Sequence, residues 1–504
     1  MNLFAAPTQI EWILFLSIFT ALGFFIGLAE LLRHAFNGSP EITRKLVHIL
    51  TGVLIFFSPE LFLSGVPALL LAVSFIVINF AAIQMGLLQG MHGTHRHSYG
   101  TVYYPLSFLI LVLIFWDSES YIISISILIL ALSDAAAAIV GENLRHPHEY
   151  RLTGDKKSFE GSAAMFVMTF IIVVTAIFHY KLAETYYDMM MIGCATALFV
   201  TTCEAISSKG FDNLTVPLSA ALMLHYFCVR LPNHIPDQMM AAVVFASIIA
   251  IVSFQFKFLS PGGAVATFIL AMIIFGIGGW AWTIPILTFF FASSLLSKFG
   301  RARKNNLDRK FDKTDTRDEG QVAANGGVAG IIILVWYIFP GEENLFILYL
   351  ASLAAVTADT LGTEIGTLSK KKPVSIVTFK SVESGTSGGV SHVGFLGSVL
   401  GASLIALSGW IVAGQTISLT MSVKIIFSGV FGSIVDSICG ATIQSQYRTD
   451  DGTITEKAMY RGQLTAYIRG VTWIDNDIVN WFCAAAGALL MYILLYDPTF
   501  CINR

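Results

Sequence analysis

Apolar runs of about 20 residues recur along this chain, and that length is what an α-helix needs to cross the ~30 Å hydrocarbon core of a bilayer. About sixteen can be traced, near residues 10–32, 46–63, 65–83, 102–116, 121–140, 161–179, 189–206, 215–229, 239–256, 259–278, 280–297, 324–340, 344–366, 388–409, 421–443 and 478–496. Lipid offers no hydrogen-bond partners, so each run must satisfy its own backbone, which a helix does internally. The expected fold class is an all-α polytopic membrane protein. Charged residues make up 12% of the 504, about half the usual share, and hydrophobic residues 55%, which excludes an ordinary soluble enzyme. The near balance of 30 Lys and Arg against 33 Asp and Glu leaves no footprint for nucleic acid, which is not expected as a partner. Six cysteines, Cys194, Cys203, Cys228, Cys439, Cys483 and Cys501, lie on apolar stretches without a CxxC and read as small core hydrophobes. The first run follows a segment with no basic n-region and reads as a retained span.

Orientation follows from the basic residues. With the N-terminus outside, only Lys181, Arg230, Lys424 and Arg504 of the 30 Lys and Arg fall on the outer side, as the positive-inside rule requires. The expected location is an integral, multi-pass membrane protein of a bacterial inner membrane, with its chemistry on the cytoplasmic face.

A repeated pattern divides the chain. Asp134 closes the fifth run and is followed by Lys156-Lys157-Ser158-Phe159-Glu160-Gly161-Ser162; Asp359 closes the thirteenth and is followed by Phe379-Lys380-Ser381-Val382-Glu383-Ser384-Gly385-Thr386-Ser387. The Asp-to-Lys spacing is 23 residues in the first copy and 21 in the second. Glu204 and Asp212-Asn213 have counterparts in Asp436 and Asp475-Asn476-Asp477. Two parallel eight-helix units are expected, residues 1–232 and 239–504, joined near 231–236.

A carboxylate inside the hydrocarbon costs about 2.5–3.5 kcal/mol on insertion scales, so Asp134, Glu204, Asp359 and Asp436 need a partner or a cation. Helix packing against Ser or Asn is one solution. The functional one, extended to Asp212, Asp475 and Asp477 at helix starts, is a carboxylate set holding Mg²⁺, which shares its remaining positions with nucleotide phosphates. Lys156, Lys157 and Lys380 supply charge for phosphate; Glu160 with Gly161 and Ser162, and Glu383 with Gly385, Thr386 and Ser387, supply the polar start of a helix where anions bind. Arg44, Lys45 and His48 share one helix face and read as a topology anchor or as a phosphate or nucleotide contact. His92, His95, Arg96 and His97 read as a solvated or phosphate-facing loop, and the 298–321 loop with Arg317 as a phosphate lid or a charged connection.

These residues also carry a resemblance. RKxxH at 44–48, SYGTVYYPLSF at 98–108, SDAAAAIVG at 133–141, KKSFEGS at 156–162 and DNLTVPL at 212–218 resemble the membrane prenol kinases typified by phytol and dolichol kinase. SPGG at 260–263, SSLLSKFG at 293–300, TRDEGQVAANGGVA at 316–329, ADTLGTEIG at 358–366 and TFKSVESGTSGGVS at 378–391 resemble phytyl-phosphate kinase. Both halves are distantly similar to CDP-diacylglycerol synthase. The resemblance implies a fusion of consecutive kinases, taking a long-chain isoprenoid alcohol (phytol, geranylgeraniol or farnesol) to the monophosphate and then the diphosphate. CTP, or another nucleoside triphosphate, would be the donor with Mg²⁺, and a prenyltransferase the consumer. It adds Glu364 to the metal-site candidates and gives Asp134, Lys157, Asp359 and Lys380 catalytic roles. Asp134 or Asp212 is the candidate general base of the first step; the second acceptor, already an ionised monoester, needs none. Two alternatives share some features: a cytidylyltransferase making a CDP-lipid, and a secondary transporter, whose acids belong at the bilayer midplane.

Overall fold

A computed structural model describes residues 2–36, 40–87, 98–230, 237–299, 316–342, 344–369, 371–450, 452, 454–456, 459–460 and 463–496. The His92–His97 group, the 231–236 linker and residues 300–315 of the 298–321 loop lie outside the described residues. The chain divides into two compact units, Met1–Asp237 and Gln238–Arg504.

Unit 1 contains α1 (Gln9–Phe36), α2 (Pro40–Phe56), the short α3 (Ser58–Leu61), α4 (Val66–Gln84), α5 (Gly100–Phe115), α6 (Ser120–Asn143), α7 (Phe159–Tyr180), α8 (Tyr186–Ile206) and α9 (Asp212–His225), which continues as a π-helical turn, Tyr226–Arg230. Unit 2 contains α10 (Asp237–Gln255), α11 (Pro261–Phe299), α12 (Glu319–Ile338), α13 (Asn344–Gly366), α14 (His392–Ala413), α15 (Leu419–Thr442) and α16 (Asn476–Tyr496). Each apolar run falls on a helix. Among the described residues twelve helices are long and apolar enough to cross a membrane, and the protein is an all-α polytopic membrane protein. The difference from the run count has local causes. The runs at 259–278 and 280–297 form the single element α11, broken at Gly279, whose φ of 60° and ψ of −156° only glycine adopts without strain. The helices α2, α5 and α9 are shorter than a full span.

Each unit is built around one helix that is apolar on nearly all faces. In both α6 and α13, 67% of the most apolar stretch is buried, so these two are the central helices of their units. They also carry Asp134 and Asp359 near their C-terminal ends. The chain leaves each central helix through a small antiparallel hairpin, β1 (Glu149–Tyr150) with β2 (Lys157–Ser158) in unit 1 and β3 (Val374–Ser375) with β4 (Gly389–Val390) in unit 2. Each hairpin delivers a serine N-cap. Ser158 Oγ accepts from Gly161 N at 3.1 Å and Ser391 Oγ from Gly394 N at 3.0 Å, meeting the first orphan amides of α7 and α14. The capped helix then lies against the central one through glycine: a Cβ on Gly161 would stand 2.9 Å from Ala137 O, and one on Gly394 3.0 Å from Gly362 O.

This equivalence corrects the alignment read from the sequence. The backbone position of Lys157-Ser158 is held in unit 2 by Val390-Ser391. Lys380 instead lies on an exposed turn inside the β3–β4 hairpin, where its carbonyl accepts from Ser375 N at 2.9 Å. The stretch before Asp475 folds into a three-stranded antiparallel sheet of β5 (Gln446–Arg448), β6 (Ile454–Thr455) and β9 (Ala466–Arg469), with a ribbon of β7 (Met459–Tyr460) and β8 (Gln463–Leu464).

Because Gly161 sits at the contact of α6 and α7, Gly161→Val should overpack it and cost about 1–3 kcal/mol. A lower melting temperature of the detergent-solubilised protein checks this, and an unchanged one would show that the helices separate freely.

Candidate functional site

Unit 1 encloses a cavity of about 520 Å³. Its polar end is made where three helices begin: α5 presents Gly100 and Thr101, α7 presents Gly161 and Ser162, and α9 presents Asp212 and Asn213. Each start leaves backbone amides without intrahelical partners and adds the positive end of a helix dipole, so the arrangement suits an anion. Arg44, Lys45 and His48 reach it from α2, Lys156 and Lys157 from the β1–β2 hairpin, Asp134 and Glu142 from α6, and Glu204 from α8.

Close packing holds these starts in place. Gly210 has a φ of 84°, and a Cβ there would lie 2.6 Å from Gly100 N, so only glycine allows the 207–213 turn to press against α5. Ser98 Oγ donates to Lys209 O at 3.2 Å and Lys209 N donates to Asp155 Oδ2 at 2.9 Å, tying three loops together. Pro105 lacks an N–H and frees the Thr101 carbonyl from the helical ladder; Asn79 Nδ2 donates to it at 2.9 Å.

Charge in the cavity is paired, but not neutralised throughout. Lys157 Nζ donates to both the carboxylate and the backbone carbonyl of Glu204. Burial alone would push the lysine down, but the Glu204 and Asp212 carboxylates outweigh that and hold it above its ordinary range. Lys45 pairs with Glu142. His48 Nε2 lies 3.1 Å from Leu130 O and 3.8 Å from Asp134 Oδ2. Asp134 and Asp212 both line the cavity and repel one another. Arg44 Nε, Thr101 Oγ1 and Tyr104 Oη are buried, line the same space and have no hydrogen-bond partner among the described residues.

Among the described residues no three His, Cys, Asp or Glu side chains gather as a metal-binding group. Mg²⁺, however, commonly takes only one or two carboxylates and fills its shell with phosphate oxygens and water. Two mutually repelling carboxylates beside an anion seat fit that requirement, so Asp134 and Asp212 are the residues suited to it, while Glu204 is engaged by Lys157.

The other end of the cavity is apolar, walled by Leu22 and Ile26 of α1, Ile55 of α2, Leu71 and Phe75 of α4 and Phe108 of α5. One space therefore offers a charged head site and an apolar tail site.

Most of the unit 1 residues expected from sequence converge here: Arg44, Lys45, His48, Asp134, Lys156, Lys157, Gly161, Ser162, Glu204 and Asp212 all line the cavity. Glu160 does not. Its carboxylate turns back to the hairpin, accepting from His148 N at 3.0 Å and lying 2.6 Å from His148 Nδ1. Tyr104, Thr101, Glu142 and Lys209 line the cavity without having been named as site residues; a proline inside a span, a glycine opening α5 and a glycine just before α9 were the available signals.

In unit 2 the expected residues fall into separate groups. Asp359 and Asp436 both act electrostatically on the buried thiol of Cys483. Glu364 Oε1 accepts from Ser297 Oγ at 2.9 Å and feels Arg317, whose guanidinium lies 5.6 Å from the Phe289 ring centroid. Burial lowers Arg317 to about 10, with Glu364 opposing the shift. Asp475 caps α16 by accepting from Ile478 N at 3.0 Å, and Asp477 stands among Asp318, Glu319, Glu456 and Asp475. Ser387 Oγ donates to Glu456 at 2.6 Å, and Thr386 O accepts from Gly389 N. Lys380, Glu383 and Gly385 are exposed.

Residues 244–488 match the family model described as Integral membrane protein DUF92. Protein PGR of Arabidopsis thaliana is 30% identical over 263 residues, 48% of this chain and 90% of that protein. Phytol kinase of Synechocystis sp. is 33% identical over 205 residues, 40% of this chain and 87% of that protein. Probable phytol kinase 2, chloroplastic, of Glycine max is 29% identical over 194 residues, 36% of this chain and 64% of that protein. No solved structure matches the chain.

The Lys157–Glu204 pair gives a stability test. Lys157→Met should destabilise by about 3–5 kcal/mol by leaving a buried carboxylate unpaired, and Lys157→Met with Glu204→Met should recover most of it. Thermal unfolding of both variants measures this; equal losses would mean the pair is not coupled.

Proposed function

Because the chain belongs to the DUF92 family of integral membrane proteins and is related to proteins named phytol kinase, we propose that it is a membrane kinase of long-chain isoprenoid alcohols. The observation that carries this reading is the unit 1 cavity, in which an apolar tail site opens into an anion seat. The alcohol lies with its tail against Leu71 and Phe108 and its hydroxyl at the polar end. The triphosphate of CTP or another nucleotide, arriving from the cytosol, lies against the starts of α5, α7 and α9, with Lys157 and Arg44 meeting its charge.

The reaction forms a bond from the alcohol oxygen to the terminal phosphorus and breaks the bond to the nucleoside diphosphate. Asp134 or Asp212 takes the hydroxyl proton. Mg²⁺ would be held by whichever of Asp134 and Asp212 does not take the proton, and would supply positive charge to the transferring phosphates. Lys157, fixed by Glu204, stabilises charge developing on the equatorial oxygens, and since phosphoryl transfer needs mainly positioning and charge stabilisation, these few groups suffice.

Unit 2, on this reading, phosphorylates the monophosphate to the prenyl diphosphate that a prenyltransferase consumes. Supporting it are the capped hairpin shared by α7 and α14, and Asp359, which occupies on α13 the place Asp134 has on α6. Arg317 and Lys380 are the cations for phosphate, and Asp359 and Asp436 the carboxylates for Mg²⁺. The N-terminus is placed outside and both sites toward the cytosol of a bacterial inner membrane.

Membranes containing the protein, incubated with Mg²⁺, CTP and labelled farnesol, geranylgeraniol or phytol, should form monophosphate first and diphosphate after, with CDP released. Lys157→Ala should reduce the first step at least about 100-fold while leaving conversion of supplied monophosphate intact, and Asp359→Asn should do the reverse. A CDP-lipid with pyrophosphate, or no lipid product with CTP, ATP or UTP, would overturn the proposal.

A further inference from the structure

Resting on the prenol-kinase reading of unit 1, we infer that the apolar end of its cavity is a closed length gauge that accepts a farnesyl-sized tail. Three helices measure it independently. On α2 the cavity-lining residues Arg44, His48, Thr51 and Ile55 fall on one helical face, and the separation from Arg44 to Ile55 is about 16 Å at 1.5 Å per residue. On α5 the lining runs from Gly100 to Phe108, and on α4 from Asn79 back to Leu71, each about 12 Å. All three run from a residue at the anion seat, Arg44, Gly100 or Asn79, to an apolar one at the far end, so they describe one axis with one direction.

The far end is closed by protein. Ile55, Leu71 and Phe108 line the cavity and are nonetheless only 4%, 1% and 3% exposed, so a tail reaching them meets packed side chains and not the hydrocarbon of the bilayer. Carbon–carbon bonds of about 1.5 Å, laid in a zigzag, give an extended farnesyl chain about 14 Å long. That falls within the roughly 12–16 Å spanned by the lining residues on the three helices. A geranylgeranyl or phytyl chain is one isoprene unit longer and enters only by folding or by leaving its hydroxyl short of the seat.

Tail transfer from lipid to this pocket exchanges one apolar surrounding for another, so little hydrophobic free energy distinguishes longer tails from shorter ones. Discrimination then comes from shape. A ring removed from the floor lengthens the gauge, and a side chain added to the wall shortens it. Phe108 is the floor residue with most to remove. Ala72, 2% exposed and lining the same space one residue short of Leu71 on the way from the seat, is the position where added bulk fills it.

The test uses the full-length protein in nanodiscs, without nucleotide, and measures displacement of radiolabelled farnesol by geraniol, farnesol, geranylgeraniol and phytol, with phosphorylated product assayed separately. Farnesol should compete best against the wild type. Phe108→Ala should shift the geranylgeraniol-to-farnesol affinity ratio upward by about tenfold or more, and Ala72→Phe should shift preference toward geraniol by a similar factor. Opposite shifts in two variants cannot come from a shared folding defect. Affinity that climbs steadily with chain length and is unmoved by either substitution would overturn the gauge, even if prenols are phosphorylated. A preserved farnesol optimum with both shifts, but no phosphorylated product, would support the gauge and reject the kinase reading.

Discussion

A bilayer offers no hydrogen bonds, so every backbone amide within it must be answered by the protein. Helix interiors do this by themselves; helix starts do not. Unit 1 brings the starts of α5, α7 and α9 to one shared cavity, lined by Gly100, Thr101, Gly161, Ser162, Asp212 and Asn213. Each start is also locally supported: Ser158 caps α7, the Ser98 hydroxyl meets Gly100 N at 3.1 Å on α5, and Asn213 N donates to Gly210 O at 3.2 Å on α9. The positive dipole ends of these three starts, converging on one cavity, make the space attractive to an anion. The lysines and arginines around it follow from the same demand, and Glu204, Glu142 and Asp212 keep those cations from repelling one another.

The second consequence is a division of labour along α2. One face of this helix begins with Arg44 and ends with Ile55, so it joins a site governed by charge to one governed by shape. Only the charged end supplies strong directional interactions. On the proposed function, a lipid alcohol would be drawn in by its head and sorted by its tail, with its hydroxyl held where a water-soluble donor can reach it.

Much of this was legible in the sequence, for identifiable reasons. Long apolar runs have few alternatives in lipid, so the helices could be placed to within a few residues, and Asp134, Lys157, Glu204 and Asp212 stood out because charges beside such runs are costly. What was not legible depends on side-chain direction. Glu160 belongs to the same short motif as Lys157, yet neighbours on a strand and a helix start point differently, and His148 captures it. Tyr104 and Thr101 look like ordinary span residues until Pro105 and the neighbouring helices define a cavity wall. The small sheet of unit 2 was passed over although Asp451-Gly452 between strand-like stretches is a recognised hairpin signal. The alignment of Lys380 with Lys157 failed because it rested on a few matching letters. The feature the backbone repeats is Ser-x-x-Gly, which serves helix capping and close approach and so survives when the lysine does not.

Val390 in the place of Lys157 bears on how the two proposed reactions differ. In the reaction proposed for unit 1 the acceptor is a neutral hydroxyl, and a lysine anchored to Glu204 beside the N-cap would set a fixed positive charge against the donor phosphates. A monoester acceptor already carries negative charge, so unit 2 must neutralise two anionic partners with a valine at the equivalent point. Arg317 is suited to that task. It stays protonated with its range lowered to about 10, its guanidinium lies over the Phe289 ring, and Glu364 balances it. A planar guanidinium binds phosphate through two parallel hydrogen bonds, whereas an ammonium acts as a point charge. Backbone contacts fix it as well: Ser260 N donates to Arg317 O and Arg317 N to Phe258 O, and Gly263 leaves room for that carbonyl. Arg317 is thus positioned by the start of α11, and not by the hairpin that carries Lys380.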